Sequence, residues 1–377
     1  ERGRSMYSAS LDQGQLQALR QRKPAGLTTA LDRLNRQWNA LHKEQRAPYQ
    51  ASDVLPQALL RALQQCISLI QEQMNQTPAH TDPQLLQFFF SALQFNRVAE
   101  LFDEHFMFDI SVRNGPRNKR YSTLCLRNVN PARLLSPRMQ AARSVTLFSA
   151  TLSPRRFYHD LLGMPADTAW LEVAAPFRAE QLQVRIASQV STRYQQRSAS
   201  LAPIVELIAQ QYQRLPGNYL AFFSSFEYLQ QVAELLARQH GQIPLWSQAP
   251  GMDEGERQAF LDRFVEGGRG IGFAVLGGAF GEGVDLPGTR LIGAFVATLG
   301  LPQVNPINEQ FKQRLGRQFG AGFDYAYLYP GVRKVIQAAG RVIRGDQDRG
   351  VLVLIDERFA EPRVQQMFPG WWPPAIA

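Results

Sequence analysis

The sequence has little cysteine, little lysine and no long apolar run. Cys66 and Cys125 are its two cysteines, which excludes a disulfide scaffold and a four-cysteine zinc or iron–sulfur site within this chain. This cysteine usage favours a reducing, cytoplasmic location. No apolar run approaches the roughly 18 residues of a membrane-spanning helix, so we expect no membrane partner. No Gly-Lys pair occurs anywhere, which excludes a lysine-containing phosphate loop from this chain.

What is present is a globular and basic composition. Hydrophobic residues make up 45% and charged residues 19% of 377 residues, enough for two or three domains. The net charge is +9, and five of the 41 basic residues are lysine, so the excess is almost entirely arginine. Because arginine is the better bidentate partner for phosphate, this bias fits a phosphate or nucleic-acid ligand. The alternative is a solvated basic surface that reflects a GC-rich coding bias.

The first third of the chain predicts helices. Apolar side chains recur at helical spacing over Ser52–Gln76 and again over Pro83–Phe108. The cluster Phe88–Phe90 is either part of the core, which we favour, or a base-stacking surface. Further along, Asn114-Gly115-Pro116 predicts a turn, and two strands follow, a short one at Tyr121–Leu126 and a buried one at Ser144–Ser149.

From about residue 177 onward, apolar strands and amphipathic helices alternate. The predicted strands are Leu182–Ala187, Tyr219–Phe223, Ile271–Leu276, Leu291–Val296 and Val351–Ile355. The predicted helices are Leu201–Arg214, Phe226–Arg238 and Val332–Arg344. This alternation predicts a parallel sheet with helices on both faces. In such sheets, ligands bind at the carboxyl ends of the strands.

Two motifs of the carboxyl-terminal part suit phosphate chemistry. Gln337–Gly345 places Arg341 and Arg344 three apart, on one face of the predicted helix, and Gly340 permits close backbone approach. Such a pair suits a phosphate on which charge develops in a transition state, and a solvated helical face is the alternative. Gly277–Gly288 follows a predicted strand, so its amides could face an anion or a ribose; a flexible turn is the alternative.

Two further motifs place hydroxyl groups at strand ends. Ser149 and Thr151 follow the strand predicted at Ser144–Ser149, where hydroxyls can link a site to its neighbours. Ser224 and Ser225 follow Tyr219–Phe223, where Ser225 could cap the next helix and both could hold a nucleic-acid phosphate.

Taken together and in this order, the four motifs resemble motifs III, IV, V and VI of superfamily 2 helicases, most closely the XPD/DinG-like (Rad3-related) DNA helicases. The matching residues are Ser149–Pro154, Phe222–Ser225, Gly278-x-Phe280-x-Glu282-Gly283-x-Asp285 and Gln337–Gly345, and Asp356–Phe359 resembles the family's Asp-x-Arg-Phe ending. The resemblance covers about residues 140–360.

The resemblance implies an α/β fold. It implies a RecA-like parallel-sheet motor domain of the P-loop NTPase helicase carboxyl-terminal type, preceded by a mainly helical, arch-like domain. The arch-like domain would occupy residues 1–110. A remnant of the first motor domain with motif III would occupy residues 111–176, and the second motor domain with motifs IV, V and VI would occupy residues 177–377.

The resemblance also implies residue roles. Arg341, Arg344 and Gln337 would be catalytic, with both arginines approaching the γ-phosphate of ATP held by the other motor domain. The nucleotide-binding residues would be Gly281, Glu282, Gly283, Asp285 and Gly340. Ser149 and Thr151 would couple hydrolysis to DNA movement, and Ser224 and Ser225 would touch the backbone of single-stranded DNA. No residue of this chain would bind a metal.

A helicase of this family also needs a Gly-x-x-x-x-Gly-Lys-Thr loop and an Asp-Glu-Ala-His motif for Mg²⁺. Neither is present, and Asp103-Glu104-His105 and Asp356-Glu357 are rejected as substitutes because of their places in the predicted helix and after the last strand. Glu1–Leu11 resembles the stretch that follows Asp-Glu-Ala-His. We therefore expect a carboxyl-terminal half that is inactive as an ATPase alone. The amino-terminal half would bind most of the ATP and Mg²⁺ and could carry an iron–sulfur cluster.

The complete enzyme would be an ATP-dependent DNA helicase that moves 5′-to-3′ on single-stranded DNA, unwinds forked DNA and serves DNA repair. One alternative is a non-catalytic module that binds single-stranded DNA or a protein and keeps vestigial motor motifs. A second is a free-standing nucleotide-binding enzyme built on Gly277–Gly288, which ranks last because the segment lacks a clear Gly-x-Gly-x-x-Gly and a following acidic ribose partner.

Overall fold

The computed structural model describes residues 2–76, 82–114, 120–281 and 284–376. Its helices are α1 (Arg2–Met6), α2 (Gln13–Arg22), α3 (Thr28–Glu44), α4 (Gln57–Gln76), α5 (Pro83–Glu100), α6 (Ala132–Gln140), α7 (Arg155–Leu162), α8 (Arg197–Arg214), α9 (Phe226–Gln239), α10 (Glu254–Asp262), α11 (Pro306–Phe319), α12 (Tyr329–Ala339) and α13 (Pro362–Gln365). Its strands are β1 (Ala9–Asp12), β2 (Tyr49–Ser52), β3 (Phe106–Asn114), β4 (Arg120–Asn128), β5 (Leu182–Ile186), β6 (Asn218–Phe223), β7 (Leu245–Ser247), β8 (Gly270–Val275), β9 (Gly293–Ala297), β10 (Gly350–Leu354) and β11 (Pro374–Ile376).

The chain divides into two compact units. The first comprises residues 1–146, 158–166 and 305–320, and the second comprises residues 147–157, 167–304 and 321–377. In the part of the chain that the structure describes, no helix is long and apolar enough to cross a membrane.

The first unit combines helices with a four-stranded antiparallel sheet in the order β1-β4-β3-β2. Its core contains Trp38, Leu63 and Phe95, each with no more than a trace of exposed surface. Phe88 and Phe89 are buried in the same core, as favoured from the sequence, whereas Phe90 is 57% exposed.

The helix predicted over Pro83–Phe108 is too long. It ends at Glu100, and Phe106 begins β3, which pairs with β4 along its whole length. The side chains of Phe106, Phe108 and Ile110 enter the core, a period of two that indicates a strand rather than a helix. The proposed boundary between residues 110 and 111 therefore falls inside β3. Gly115 and Pro116 of the predicted turn lie outside the described residues.

The strand predicted at Ser144–Ser149 is wrong. This segment is extended and exposed, and Phe148 is 91% accessible to solvent. A strand is stable only where a neighbour takes up its backbone hydrogen bonds, and neither sheet of the described chain pairs with this segment.

The second unit is built on a parallel sheet of seven strands in the order β11-β5-β10-β9-β6-β8-β7. The five strands predicted from apolar runs are present within two residues of their predicted ends, which confirms the α/β class. The central strand β6 is buried along its entire length and alternates between two cores. Leu220 and Phe222 enter one core, and Tyr219, Ala221 and Phe223 enter the other.

All strands of this sheet run the same way, so their carboxyl ends share one edge. Ser224 follows β6, Gly277 follows β8 shortly after its end, and Asp356 follows β10. Backbone bonding links two of these strand ends directly, because the amide of Leu276 donates to the carbonyl of Phe223 at 2.8 Å.

Candidate functional site

Arg341 and Arg344 do not lie on a helix. α12 ends at Ala339, and the amides of Arg341 and Val342 donate to carbonyls only three residues back, which tightens the chain into a turn. Val342 and Ile343 then both enter the core of the second unit, where they are 2% and 3% exposed. Because the chain leaves the helix after Ala339, the predicted helix Val332–Arg344 is too long at its carboxyl end.

The two arginines nevertheless reach the same loop. Arg341 donates from Nη1 to the carbonyl of Val284 at 3.0 Å. Arg344 donates from Nε to Oδ1 of Asp285 at 3.0 Å, in an ion pair whose carboxylate side chain is 71% exposed. The structure therefore joins Arg341, Arg344 and Asp285, which were singled out separately in two sequence motifs.

The turn that carries Arg344 is held from both sides. The carboxylate of Asp348 accepts hydrogen bonds from the amides of Arg344 and Gly345 at 2.7 and 2.8 Å. The buried side chain of Gln181 donates from Nε2 to the carbonyls of Gly345, Asp346 and Asp348 at 3.0 to 3.2 Å. Gln181 was missed in the sequence because it lies more than 160 residues before the turn that it supports.

The glycine-rich loop is anchored by apolar side chains between its polar ones. Gly277 has φ near 78°, a left-handed conformation that favours glycine. Phe280 is buried and stacks on Phe260 with ring centroids 4.1 Å apart. Gly281 is also buried, and its amide donates to the carbonyl of Gly278 at 3.0 Å. Glu282 and Gly283, both predicted site residues, lie outside the described residues.

A third cation lies at this loop. A Cβ at Gly277 would come within 3.1 Å of Cδ and 3.4 Å of Nζ of Lys334, so this lysine packs over the start of the loop. Lys334 lies three residues before Gln337, which is half-buried on the last turns of α12, while Gly340 is exposed. Lys334 and Gln337 lie three residues apart on α12, a spacing that places them on one helix face and that the motif comparison passed over.

Ser224 and Ser225 have separate tasks at the end of β6. Ser225 is the N-cap of α9, and its Oγ accepts a hydrogen bond from the amide of Tyr228 at 3.3 Å, which confirms the predicted cap. Ser224 accepts a hydrogen bond from Nη2 of Arg197 at 2.8 Å. The Arg197 guanidinium lies 5.2 Å from the ring centroid of Tyr194 and 5.1 Å from that of Tyr228.

Ser149 and Thr151 form a local turn on an exposed segment. The amide of Thr151 donates to Oγ of Ser149 at 3.2 Å, and the two hydroxyls are 3.3 Å apart. The hydrogen bonds from Arg341 to Val284 and from Arg344 to Asp285 involve neither of these two residues.

The carboxyl end of β10 carries a buried ion pair. Asp356 is fully buried and accepts hydrogen bonds from Nε and Nη2 of Arg358 at 2.6 and 2.9 Å, from the Thr192 hydroxyl, and from the Thr192 amide at 2.9 Å. Burial alone would raise the pKa of Asp356, but the hydrogen bonds and charge of Arg358 together with Thr192 outweigh it. They hold the pKa below its ordinary value.

Among the described residues, no three His, Cys, Asp or Glu side chains come together in a way that would hold a metal ion. Among the described residues, the charged groups that contact the glycine-rich loop are the guanidinium groups of Arg341 and Arg344 and the ammonium group of Lys334, together with the loop's own exposed carboxylate, that of Asp285. Such a set matches a phosphate-bearing ligand.

Comparison with known proteins assigns this unit. Residues 208–375 match the family described as Helicase C-terminal domain. A probable ATP-dependent helicase of Methanocaldococcus jannaschii is 33% identical over 161 residues, 38% of this chain and 24% of that protein. The ATP-dependent helicase DinG of Mycobacterium tuberculosis is 25% identical over 250 residues, 64% of this chain and 36% of that protein. The chain thus spans about a quarter to a third of the length of these curated relatives.

Solved structures agree on the fold. An apo structure of XPD aligns with 98% of this chain and 73% of its own at a TM-score of 0.60 and 16% identity. Xpd4 of S. tokodaii aligns with 98% of this chain and 72% of its own at a TM-score of 0.62 and 14% identity.

The parallel sheet and the matched family define the second unit as a RecA-like helicase carboxyl-terminal domain. More narrowly, the chain is similar in sequence and fold to the carboxyl-terminal region of helicases of the XPD/DinG-like family.

Proposed function

We propose that this chain is the carboxyl-terminal portion of an ATP-dependent DNA helicase and that it supplies arginines to ATP hydrolysis and contacts to single-stranded DNA. The observation that carries the proposal is the convergence of Arg341 and Arg344 on one glycine-rich loop, through Val284 and Asp285. The names of the curated relatives support ATP-dependent helicase activity for the complete protein.

Arg341, Arg344 and Gln337 have distinct parts in the proposal. ATP held mainly by the amino-terminal portion, with its Mg²⁺, would present a γ-phosphate to be transferred to water. Arg341 would place its guanidinium against that phosphate, where a preorganised positive charge favours the transition state over the bound ground state. Asp285 would orient the guanidinium of Arg344 through their ion pair, and Gln337 would lie beside both arginines.

The same geometry offers a route between nucleotide and DNA. The glycine-rich loop begins at Gly277, directly after Leu276, whose amide is bonded to the carbonyl of Phe223. Ser224 and Ser225 follow Phe223, at the place proposed for the DNA backbone. A movement of the loop upon hydrolysis would therefore be transmitted from β8 to the neighbouring strand β6, and so to the proposed DNA contact at Ser224 and Ser225.

The proposal includes the finer expectations drawn from the resemblance. Ser149 and Thr151 would act in coupling, and translocation would run 5′-to-3′ on single-stranded or forked DNA. An amino-terminal portion would carry the phosphate loop and the Mg²⁺ site, and it is also where an iron–sulfur cluster would bind. The complete enzyme would act in DNA repair in the cytoplasm.

The isolated chain should hydrolyse ATP no faster than a protein-free control, with or without single-stranded DNA, because it holds no phosphate loop. Steady-state phosphate release checks this. Binding of a fluorescent oligothymidylate by the same preparation is the control for correct folding. DNA-stimulated turnover by the isolated chain would contradict the proposal.

A further inference from the structure

The segment before α8 presents an exposed aromatic ring at the carboxyl edge of the sheet. Tyr194 is 81% exposed, although the guanidinium of Arg197 lies 5.2 Å from its ring centroid. The same guanidinium lies 5.1 Å from the ring centroid of buried Tyr228. Cation–π attraction to two rings restrains the guanidinium, so Arg197 is preorganised.

The same guanidinium is tied to the end of β6. Its Nη2 donates to the Ser224 hydroxyl at 2.8 Å, beside the amino terminus of α9 that Ser225 caps. Within the described chain, Ser224 is the hydrogen-bond partner of the Arg197 guanidinium, and the buried Nε of Arg197 has none. Arg197, Ser224 and the first amides of α9 therefore form a group of donors that suits one phosphate.

The backbone that carries Tyr194 is rigidly supported. The Thr192 amide donates to buried Asp356 at 2.9 Å, and Nε of Arg193 donates to Glu357 at 2.6 Å. The amide of Glu357 closes the arrangement by donating to the carbonyl of Val190 at 2.8 Å. Tyr194 thus combines a fixed backbone with an uncovered ring, which is the arrangement of a stacking platform and not of a loose loop tip.

We propose that Tyr194 stacks a base of single-stranded DNA while Arg197 and Ser224 bind the phosphate next to it. The inference rests on the proposed DNA-binding function and deepens it by naming a base contact. The neighbours of Tyr194 favour this ligand over an apolar protein surface, because Arg193, Gln195 and Gln196 are also exposed and polar. Stacking on an aromatic ring is tolerant of sequence, as a translocating motor requires.

The ring is tested with two variants and two oligonucleotides on the complete 377-residue chain. Tyr194→Ala should weaken binding of oligothymidylate by about 5- to 150-fold, the range for loss of one stacked base. Tyr194→Phe, which keeps the ring, should restore most of the lost affinity. With an abasic oligonucleotide of equal length, Tyr194→Ala should bind as the unmodified chain does, because no base is present to stack.

The phosphate contact is tested through salt dependence. Arg197→Gln should lower the slope of log K against log salt concentration by roughly 0.7, the value for one phosphate contact on a single strand. Arg238→Gln is the matched control, since Arg238 lies at the other end of α9, on the amino edge of the sheet. The slope for Arg238→Gln should equal that of the unmodified chain within experimental error, apart from a small general effect of net charge.

The outcomes separate the two proposals. If the unmodified chain fails to bind oligothymidylate, the proposed function fails. If it binds and Tyr194→Ala binds equally well, or loses the same affinity for abasic DNA, the stacking platform is overturned while DNA binding stands. Circular dichroism and the thermal transition of each variant must match those of the unmodified chain. If Tyr194→Ala alone unfolds, Tyr194→Ser and Tyr194→Leu, compared on the two oligonucleotides, decide the question.

Discussion

Replacing Arg341 by alanine should lower DNA-stimulated ATP hydrolysis by about 10³-fold or more in an enzyme that also contains the amino-terminal portion. The expected loss is this large because an arginine that meets the γ-phosphate stabilises charge that develops only in the transition state. The loss should therefore appear in kcat, with a smaller change in KM for ATP. Arg341→Lys should also be strongly impaired, because an ammonium group cannot reproduce the planar fork of donors.

Arg214→Ala serves as the control for this experiment. Arg214 is an exposed arginine of the same unit, but it ends α8 at the amino edge of the sheet, away from the strand ends that carry the glycine-rich loop. Its replacement should leave turnover close to that of the unmodified enzyme. A near-normal rate for Arg341→Ala would remove Arg341 from the role proposed for it.

Replacing Asp356 by asparagine should destabilise the second unit by about 3–5 kcal/mol, because it leaves the largely buried Arg358 without its counter-charge. Urea unfolding followed by tryptophan fluorescence measures the effect, since Trp246, Trp371 and Trp372 all pack in this unit. Asp285→Asn is the matched control. It breaks another Asp–Arg pair at the same sheet edge, but one that is largely exposed, so it should cost only about 0–1 kcal/mol.

The effect of Asp356→Asn should depend on pH in a defined direction. The folded protein lowers the pKa of Asp356 below its ordinary value of 3.8, so the ionised carboxylate stabilises the fold. The difference between Asp356→Asn and the unmodified chain should be complete above about pH 5, where an unfolded aspartate is ionised. It should shrink as the pH falls through the lower pKa of the folded state. A difference that persists unchanged into strong acid would contradict this account.

The parallel sheet was largely predictable from the sequence. β6 and β8–β10 are short apolar runs bounded by glycine or polar residues, and strands buried on both faces read in this way. Ser144–Ser149 has the same appearance and is not a strand, because pairing depends on a neighbour that an apolar run does not encode. β3 was mistaken for helix because Leu101 and Phe102 extend the apolar spacing of α5 to within a few residues of Phe106, where β3 begins.

The candidate site was predictable only where its residues lie within motifs. Arg341, Arg344 and Asp285 were singled out in two separate motifs, and the structure brings them together at one loop, although the chain turns after Ala339 where a helix was expected. Gln181, Lys334 and Tyr194 were missed. Gln181 reaches the turn that it supports only through the pairing of β5 with β10. The backbone before Tyr194 is fixed by hydrogen bonds of Thr192 and Arg193 to residues 164 positions further along the chain, which the sequence does not reveal.

The central claim is that this chain is one essential part of an ATP-driven helicase motor. The most direct test is separation of a forked duplex by the amino-terminal portion, by this chain and by the two joined. Our account predicts ATP-dependent strand separation only when both are present, and its loss when the joined protein carries Arg341→Ala. Equal strand separation by the amino-terminal portion alone, or none by the joined protein despite ATP and DNA binding, would contradict it.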